Sequence, residues 1–175
     1  MTVRVERKRY TMAKRQTPLK VIPLGGLDGI GKNMTVLEYG NNILLVDAGL
    51  MFPDDEQLGI DLVLPDYTYV LENEDKLKGI IITHGHEDHT GALPYLLMDL
   101  QNKVPIYSSS LTLGFIEGKL AEHRIKKPLI MPFMKFWIIY MKSIPQFFSN
   151  LFIVVKHSTS IRKFISNRYK FPLIR

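Results

Sequence analysis

The sequence predicts an α/β sandwich, and three observations carry that expectation. Short runs rich in β-branched and aliphatic residues alternate with segments whose apolar residues recur at helical spacing. The early strands follow one another through tight turns, so they pair as hairpins. Of the 175 residues 46% are hydrophobic, enough for one core, and none is cysteine, which excludes disulfides and thiolate metal sites. Such a pattern fits a layered α/β architecture better than an all-helical or all-β one.

Taken in order, Leu19 to Leu24 reads as a short apolar strand, followed by the glycine-rich run Gly25-Gly26-Leu27-Asp28-Gly29-Ile30-Gly31. Met34 to Tyr39 is a second strand. Gly40-Asn41-Asn42 then makes a tight turn, because Gly and Asn accept positive φ. Ile43 to Val46 is a third strand, ended by Asp47-Ala48-Gly49, and an acidic loop, Phe52 to Glu56, follows. Pro65 to Leu71 begins a helix. Gly79 to Thr83 is short and apolar enough for a buried strand. Leu93, Leu96, Leu97 and Leu100 give Thr90 to Leu100 a helical spacing, despite Pro94. Val104 to Tyr107 is another strand, and Leu111 to His123 another helix. There is no internal repeat and no apolar stretch long enough to span a membrane.

The formal net charge of +6 suggests an acidic partner, but it is unevenly spread. Residues 1–122 hold all 17 acidic residues against 12 basic ones, a net −5, while residues 123–175 hold 11 basic residues and no acid, a net +11. Beyond Ala121 there is neither Gly nor Ala. Turns and solvated faces need those residue types, so the last fifty residues are unusual for a folded segment. Residues 1–18 read as a basic flexible tail without the apolar core of a secretory signal.

The chemistry concentrates in His84-Gly85-His86-Glu87-Asp88-His89, directly after an apolar strand and before a helix. Imidazole nitrogens and a carboxylate suit zinc, and can hold manganese. A strand end can aim His84 and His86 at one point, and Asp88 and His89, one turn later, at a second, which suggests two neighbouring metals. Two metals can polarise a phosphoryl oxygen and lower the pKa of a bridging water. A pH-sensing cluster, or loop histidines of no consequence, are the rival readings. Asp47 reads either as a turn residue or helix cap, or as a carboxylate that orients a ligand histidine. The glycine-rich run looks like a nucleotide loop, but no Lys-Ser/Thr follows it, and a tight turn between strands explains it equally well.

Asp47-Ala48-Gly49 and the His84 to His89 cluster resemble the first two motifs of the metallo-β-lactamase fold. Pro23-Leu24-Gly25-Gly26-Leu27, Ile30-Gly31-Lys32-Asn33, Leu50-Met51-Phe52-Pro53, Leu58-Gly59-Ile60-Asp61, Pro65-Asp66-Tyr67 and Thr90-Gly91-Ala92 narrow the likeness to the ribonuclease J family, over about residues 19–124. The resemblance implies a metallo-β-lactamase-type αββα sandwich, of which this chain would hold the N-terminal half only. It implies a cytoplasmic, metal-dependent ribonuclease, both 5′-to-3′ exonuclease and endonuclease, with two divalent ions (zinc, or manganese) and RNA as partner. By motif, His84 and His86 would bind the first metal, Asp88 and His89 the second, with Asp88 and His89 also catalytic and Asp47 in support. The family forms homo- or hetero-oligomers, which this chain is not expected to retain.

Two departures qualify the likeness. Gly29 stands where the family usually carries Glu. The family also needs a later histidine and a later aspartate that bridges both metals, yet no Asp follows Asp99 and no Glu follows Glu122. His157 is a weak candidate for the later histidine. The second metal site is therefore expected to be incomplete, and the chain inactive alone. Residues 125–175 read as an atypical basic-aromatic tail from a shifted reading frame. The rival is a real tail in which Phe133, Phe136, Trp137 and Tyr140 with Lys135 and Lys142 meet RNA or a membrane surface. Two alternative functions stay open: a hydrolase of this fold acting on another substrate, such as a thioester, and a non-catalytic RNA-binding or assembly subunit.

Overall fold

The computed structural model describes residues 17–27, 30–54, 57–101 and 103–136. Among them a single six-stranded sheet runs in chain order: β1 (Leu19–Gly25), β2 (Met34–Tyr39), β3 (Asn42–Val46), β4 (Leu77–Ile81), β5 (Ile106–Ser108) and β6 (Ile130–Pro132). The first three strands are antiparallel neighbours, and β3 to β6 pair in parallel. The switch follows from the connections, since the eight-residue loop after β1 and the two-residue turn after β2 can return the chain antiparallel, whereas parallel pairing needs a crossover. The crossovers carry α1 (Thr68–Glu72), α2 (Glu87–Thr90), α3 (Leu93–Asp99) and α4 (Ser110–Glu122).

Strand alternation divides the apolar residues between two faces. Met34, Val36, Ile43, Leu45, Ile80, Ile82 and Ile106 join Val70 of α1, Leu93 and Leu96 of α3, and Leu113, Ile116 and Leu120 of α4 in the main core. Leu37, Leu44 and Tyr107 face the other way and form a smaller cluster with Phe136. The Tyr107 ring lies over Gly79, where a Cβ would come within 2.8 Å of it. The main-core layer also holds a charged group. Glu38 of β2 is buried and accepts hydrogen bonds from Tyr69 of α1 at 2.6 Å and from Lys20, its cross-strand partner on β1, at 2.9 Å.

Several expected elements shift. The strand expected at Gly79 to Thr83 ends at Ile81, because Thr83 turns its amide to Asp47 and leaves the ladder. The helix expected from Thr90 to Leu100 divides into α2 and α3 at Gly91-Ala92, with Pro94 in the first turn of α3, where its missing N–H costs nothing. The ordered sheet also passes Arg124: β6 pairs with β5, and the Phe136 ring packs edge-on against Tyr107 with centroids 5.0 Å apart. His157, Trp137, Tyr140 and Lys142 lie outside the described residues, as do residues 1–16.

Candidate metal centre

Three loops meet at one end of the sheet: the segment entering β2, the segment leaving β3, and the segment leaving β4. Backbone hydrogen bonds lace them together. Ala48 donates to the His89 carbonyl (2.9 Å), Leu50 to Glu87 (3.1 Å), Asn33 to Asp88 (3.1 Å), Gly49 to Asn33 (3.0 Å) and Ala92 to Ala48 (2.8 Å). Such close backbone approach requires glycine at position 49, since a Cβ there would overlap the Asp88 carbonyl. Asp-Ala-Gly is thus a packing requirement as much as a chemical one.

Asp47 closes β3 in the left-handed region, at φ 61°, a conformation that Asp tolerates better than most residues. This turn sends its carboxylate under the histidine loop. Oδ1 accepts the Thr83 amide at 2.7 Å, Oδ2 accepts the Thr83 hydroxyl at 2.9 Å, and His89 Nδ1 lies 2.8 Å from Oδ2. An ionised carboxylate only accepts, so His89 donates from Nδ1. Its Nε2 then faces outward, 3.2 Å from Asp88 Oδ2.

His86 caps α2 in extended conformation, and the single helical turn that follows presents Asp88 and His89. His84 stacks beside His89 with ring centroids 4.0 Å apart, and His86 meets His84 edge-on at 4.6 Å. Ligand atoms of His84, Asp88 and His89 all lie within 4.8 Å of one another. His86 is next to this group, joined to it through His84. Glu87, inside the same motif, is gripped by Lys119 of α4, which also donates to Thr90.

The electrostatics suit a cation. Burial pushes the His84 imidazole below its ordinary value, and the neighbouring His89 and His86 add to this against Asp47 and Asp88. Burial also opposes the charge on His89, but the Asp47 hydrogen bond and the charges of Asp47 and Asp88 outweigh it and raise this imidazole. With Nδ1 donating, the Nε2 lone pair and the Asp88 carboxylate face each other as two acceptors, eased by the Asn33 side-chain amide beside both, and a proton or a metal ion between them would relieve the repulsion. Two imidazoles and a carboxylate are a donor set that zinc accepts, so the residues fit a divalent ion.

A model of the metallo-beta-lactamase superfamily matches residues 27–132, more than half of the sequence. The chain belongs to that superfamily. Within it, the chain is 52% identical over 103 residues to ribonuclease J 1 of Streptococcus pyogenes, covering 59% of this chain and 18% of that protein. It is 49% identical over 114 residues to ribonuclease J 2 of Staphylococcus aureus, covering 65% and 20%. The likeness to ribonuclease J expected from the motifs is borne out, and the chain spans about a fifth of the length of these relatives. Among solved structures, human tRNase Z, short form, aligns with 64% of this chain and 44% of its own at 19% identity and a TM-score of 0.42, too loose a likeness to bear on function. No helix among the described residues is long and apolar enough to cross a membrane.

Asn33, Thr83 and Lys119 carry much of the local organisation, and the sequence reading assigned none of them a role. Each lies at least 29 residues in sequence from a partner it holds in the motif or its Asp47 support, and a single sequence shows no such pairing. Asn33 gave one signal, its place two residues beyond the end of the glycine-rich run.

Proposed function

We propose that this chain carries the first part of a ribonuclease J-type metal centre, whose reaction is hydrolysis of RNA phosphodiester bonds in the cytoplasm, both 5′-to-3′ exonucleolytic and endonucleolytic. The observation that carries the reading is the convergence of His84, Asp88 and His89 above a carboxylate, Asp47, that fixes the His89 tautomer. His84 and His86 would hold one zinc (or manganese) ion and Asp88 and His89 a second; when bound, such ions supply Lewis-acid polarisation and a water nucleophile at neutral pH. The protein's own part is to keep His89 in the Nδ1-H form, to place the Asp88 carboxyl beside its Nε2, and to lock the loop through Lys119 and Glu87. Oriented ligands of this kind commonly account for about 10–100-fold in metal affinity or activity.

The chain alone has little or no turnover in this reading. No aspartate follows Asp99 to bridge two ions, and His157 is the one histidine in the tail available as a further ligand. Incubation with zinc or manganese and a 5′-monophosphorylated RNA tests both parts. We expect metal uptake by calorimetry with negligible cleavage. Robust turnover abolished by His86→Ala refutes the inactivity, and absence of any uptake refutes the metal centre.

A further inference from the structure

We propose that Asn33 is a positioning residue for the metal ligands Asp88 and His89, and that the Gly25-Gly26 turn is shaped to seat it. The inference rests on the metal-centre reading above. The Asn33 side-chain amide nitrogen lies 3.0 Å from the Asp88 carbonyl, 3.1 Å from Asp88 Oδ2 and 3.3 Å from His89 Nε2. Its backbone amide donates to the same Asp88 carbonyl, and its carbonyl accepts from Gly49. One residue therefore holds Asp88 at both main chain and side chain, and reaches the coordinating nitrogen of His89.

The residue type follows from the chemistry of that spot. An amide offers two protons and no charge. A lysine would bring a cation that competes with a metal ion, and an aspartate would set a further anion against Asp88. The orientation is also determined. With its oxygen turned toward Asp88, the amide would oppose a carbonyl and a carboxylate, so nitrogen must face them.

The glycine run explains how the amide is held. Gly26 has φ 78°, and a Cβ there would lie 2.6 Å from Asn33 Oδ1 and 3.3 Å from its Cα and Cγ. A Cβ on Gly25 would overlap the Lys32 carbonyl. These glycines thus leave the space that the 32–33 segment fills. Gly25 and Gly26, the start of the run that resembles a nucleotide loop, serve as the seat of an asparagine, and no phosphate need be invoked.

A double-mutant cycle on the full chain tests this. Zinc affinity is measured by calorimetry, the ligand field of the cobalt(II)-substituted protein by visible spectroscopy, and folding by far-UV circular dichroism. Asn33→Ala is expected to weaken zinc binding by about 10–100-fold and to alter the cobalt spectrum while the fold persists. Gly26→Ala should reproduce a smaller part of both effects, and the two substitutions together should cost no more than Asn33→Ala alone, because they act on one amide. In metal-free wild type, the Asn33 side-chain amide protons should exchange slowly in NMR spectra, and this measurement stands even if a variant fails to fold. Free-solvent exchange there, or wild-type affinity with an unchanged cobalt spectrum in Asn33→Ala, overturns the proposal. A wild type that takes up no zinc overturns the metal reading along with it, whereas zinc uptake that is indifferent to Asn33 overturns this inference alone.

Discussion

Replacing Asp47 by Asn alters one atom and tests how the centre is held. Asn accepts the left-handed backbone at this position, where φ is 61°, so the substitution adds no strain of its own. What changes is the hydrogen-bond ledger. Asp47 accepts the Thr83 amide at 2.7 Å, the Thr83 hydroxyl at 2.9 Å and the His89 Nδ1 proton at 2.8 Å. An Asn oxygen can keep the Thr83 amide, but its NH2 group then faces His89. His89 must accept at Nδ1 and carry its proton on Nε2, the atom that faces Asp88. The coordinating lone pair is lost in that tautomer. Loss of an orienting partner of this kind costs about 10–100-fold in metal affinity, or about 1.4–2.7 kcal/mol. Fold stability should fall by about 1.5–3 kcal/mol, the worth of a hydrogen bond to a charged group. Zinc titration calorimetry and urea unfolding measure the two quantities, and long-range proton–nitrogen NMR correlations read the tautomer directly. If Asp47→Asn binds zinc as the wild type does and His89 keeps its proton on Nδ1, the reasoning fails.

Two further outcomes follow from the packing. Gly49→Ala places a methyl group against the Asp88 carbonyl, a backbone atom that cannot rotate away. We expect destabilisation at or above the upper end of the usual overpacking cost of about 1–3 kcal/mol, measured by denaturant unfolding; a variant as stable as wild type would show that the loops are not laced as described. Glu38 is held below the ordinary glutamate range by hydrogen bonds from Tyr69 and Lys20, against the penalty of burial. A carboxyl with a depressed folded-state value contributes stability that is complete above its unfolded value and is lost as pH falls through the folded one. Glu38→Gln should therefore flatten the acid limb of stability against pH below the ordinary glutamate range, and an unchanged limb would dismiss Glu38 as its source.

The parts of the fold that sequence made legible are those with local causes. β2, β3 and α4 declare themselves through alternation or helical spacing, and each lies within a residue of its expected place. β4 and β5 are displaced by about two residues, because their limits are set by partners. Ile82 leaves the named strand yet still donates to Tyr107, and Thr83 is claimed by Asp47. β6 was invisible: three residues, Ile130 to Pro132, gain strand character only from the neighbour that β5 offers. At the centre, the ligand-type side chains were readable because six contiguous residues hold them. Their grouping was less so. The sequence pairs His84 with His86 and Asp88 with His89; in the structure ligand atoms of His84, Asp88 and His89 lie within 4.8 Å of one another, with the His86 ring beside His84.

The sheet keeps the order in which its strands are synthesised. Asn33 precedes β2, Asp47 follows β3, and the histidine motif follows β4, so these groups have been translated before β5 begins, and only the Lys119 contact to Glu87 waits for α4. A nascent chain leaving the ribosome has no need to wait for a distant C-terminal segment before these loops can meet. Ion capture could then accompany elongation, and a bound ion would lend its affinity to a half-made domain, stabilising the early strands while the remainder is still being made.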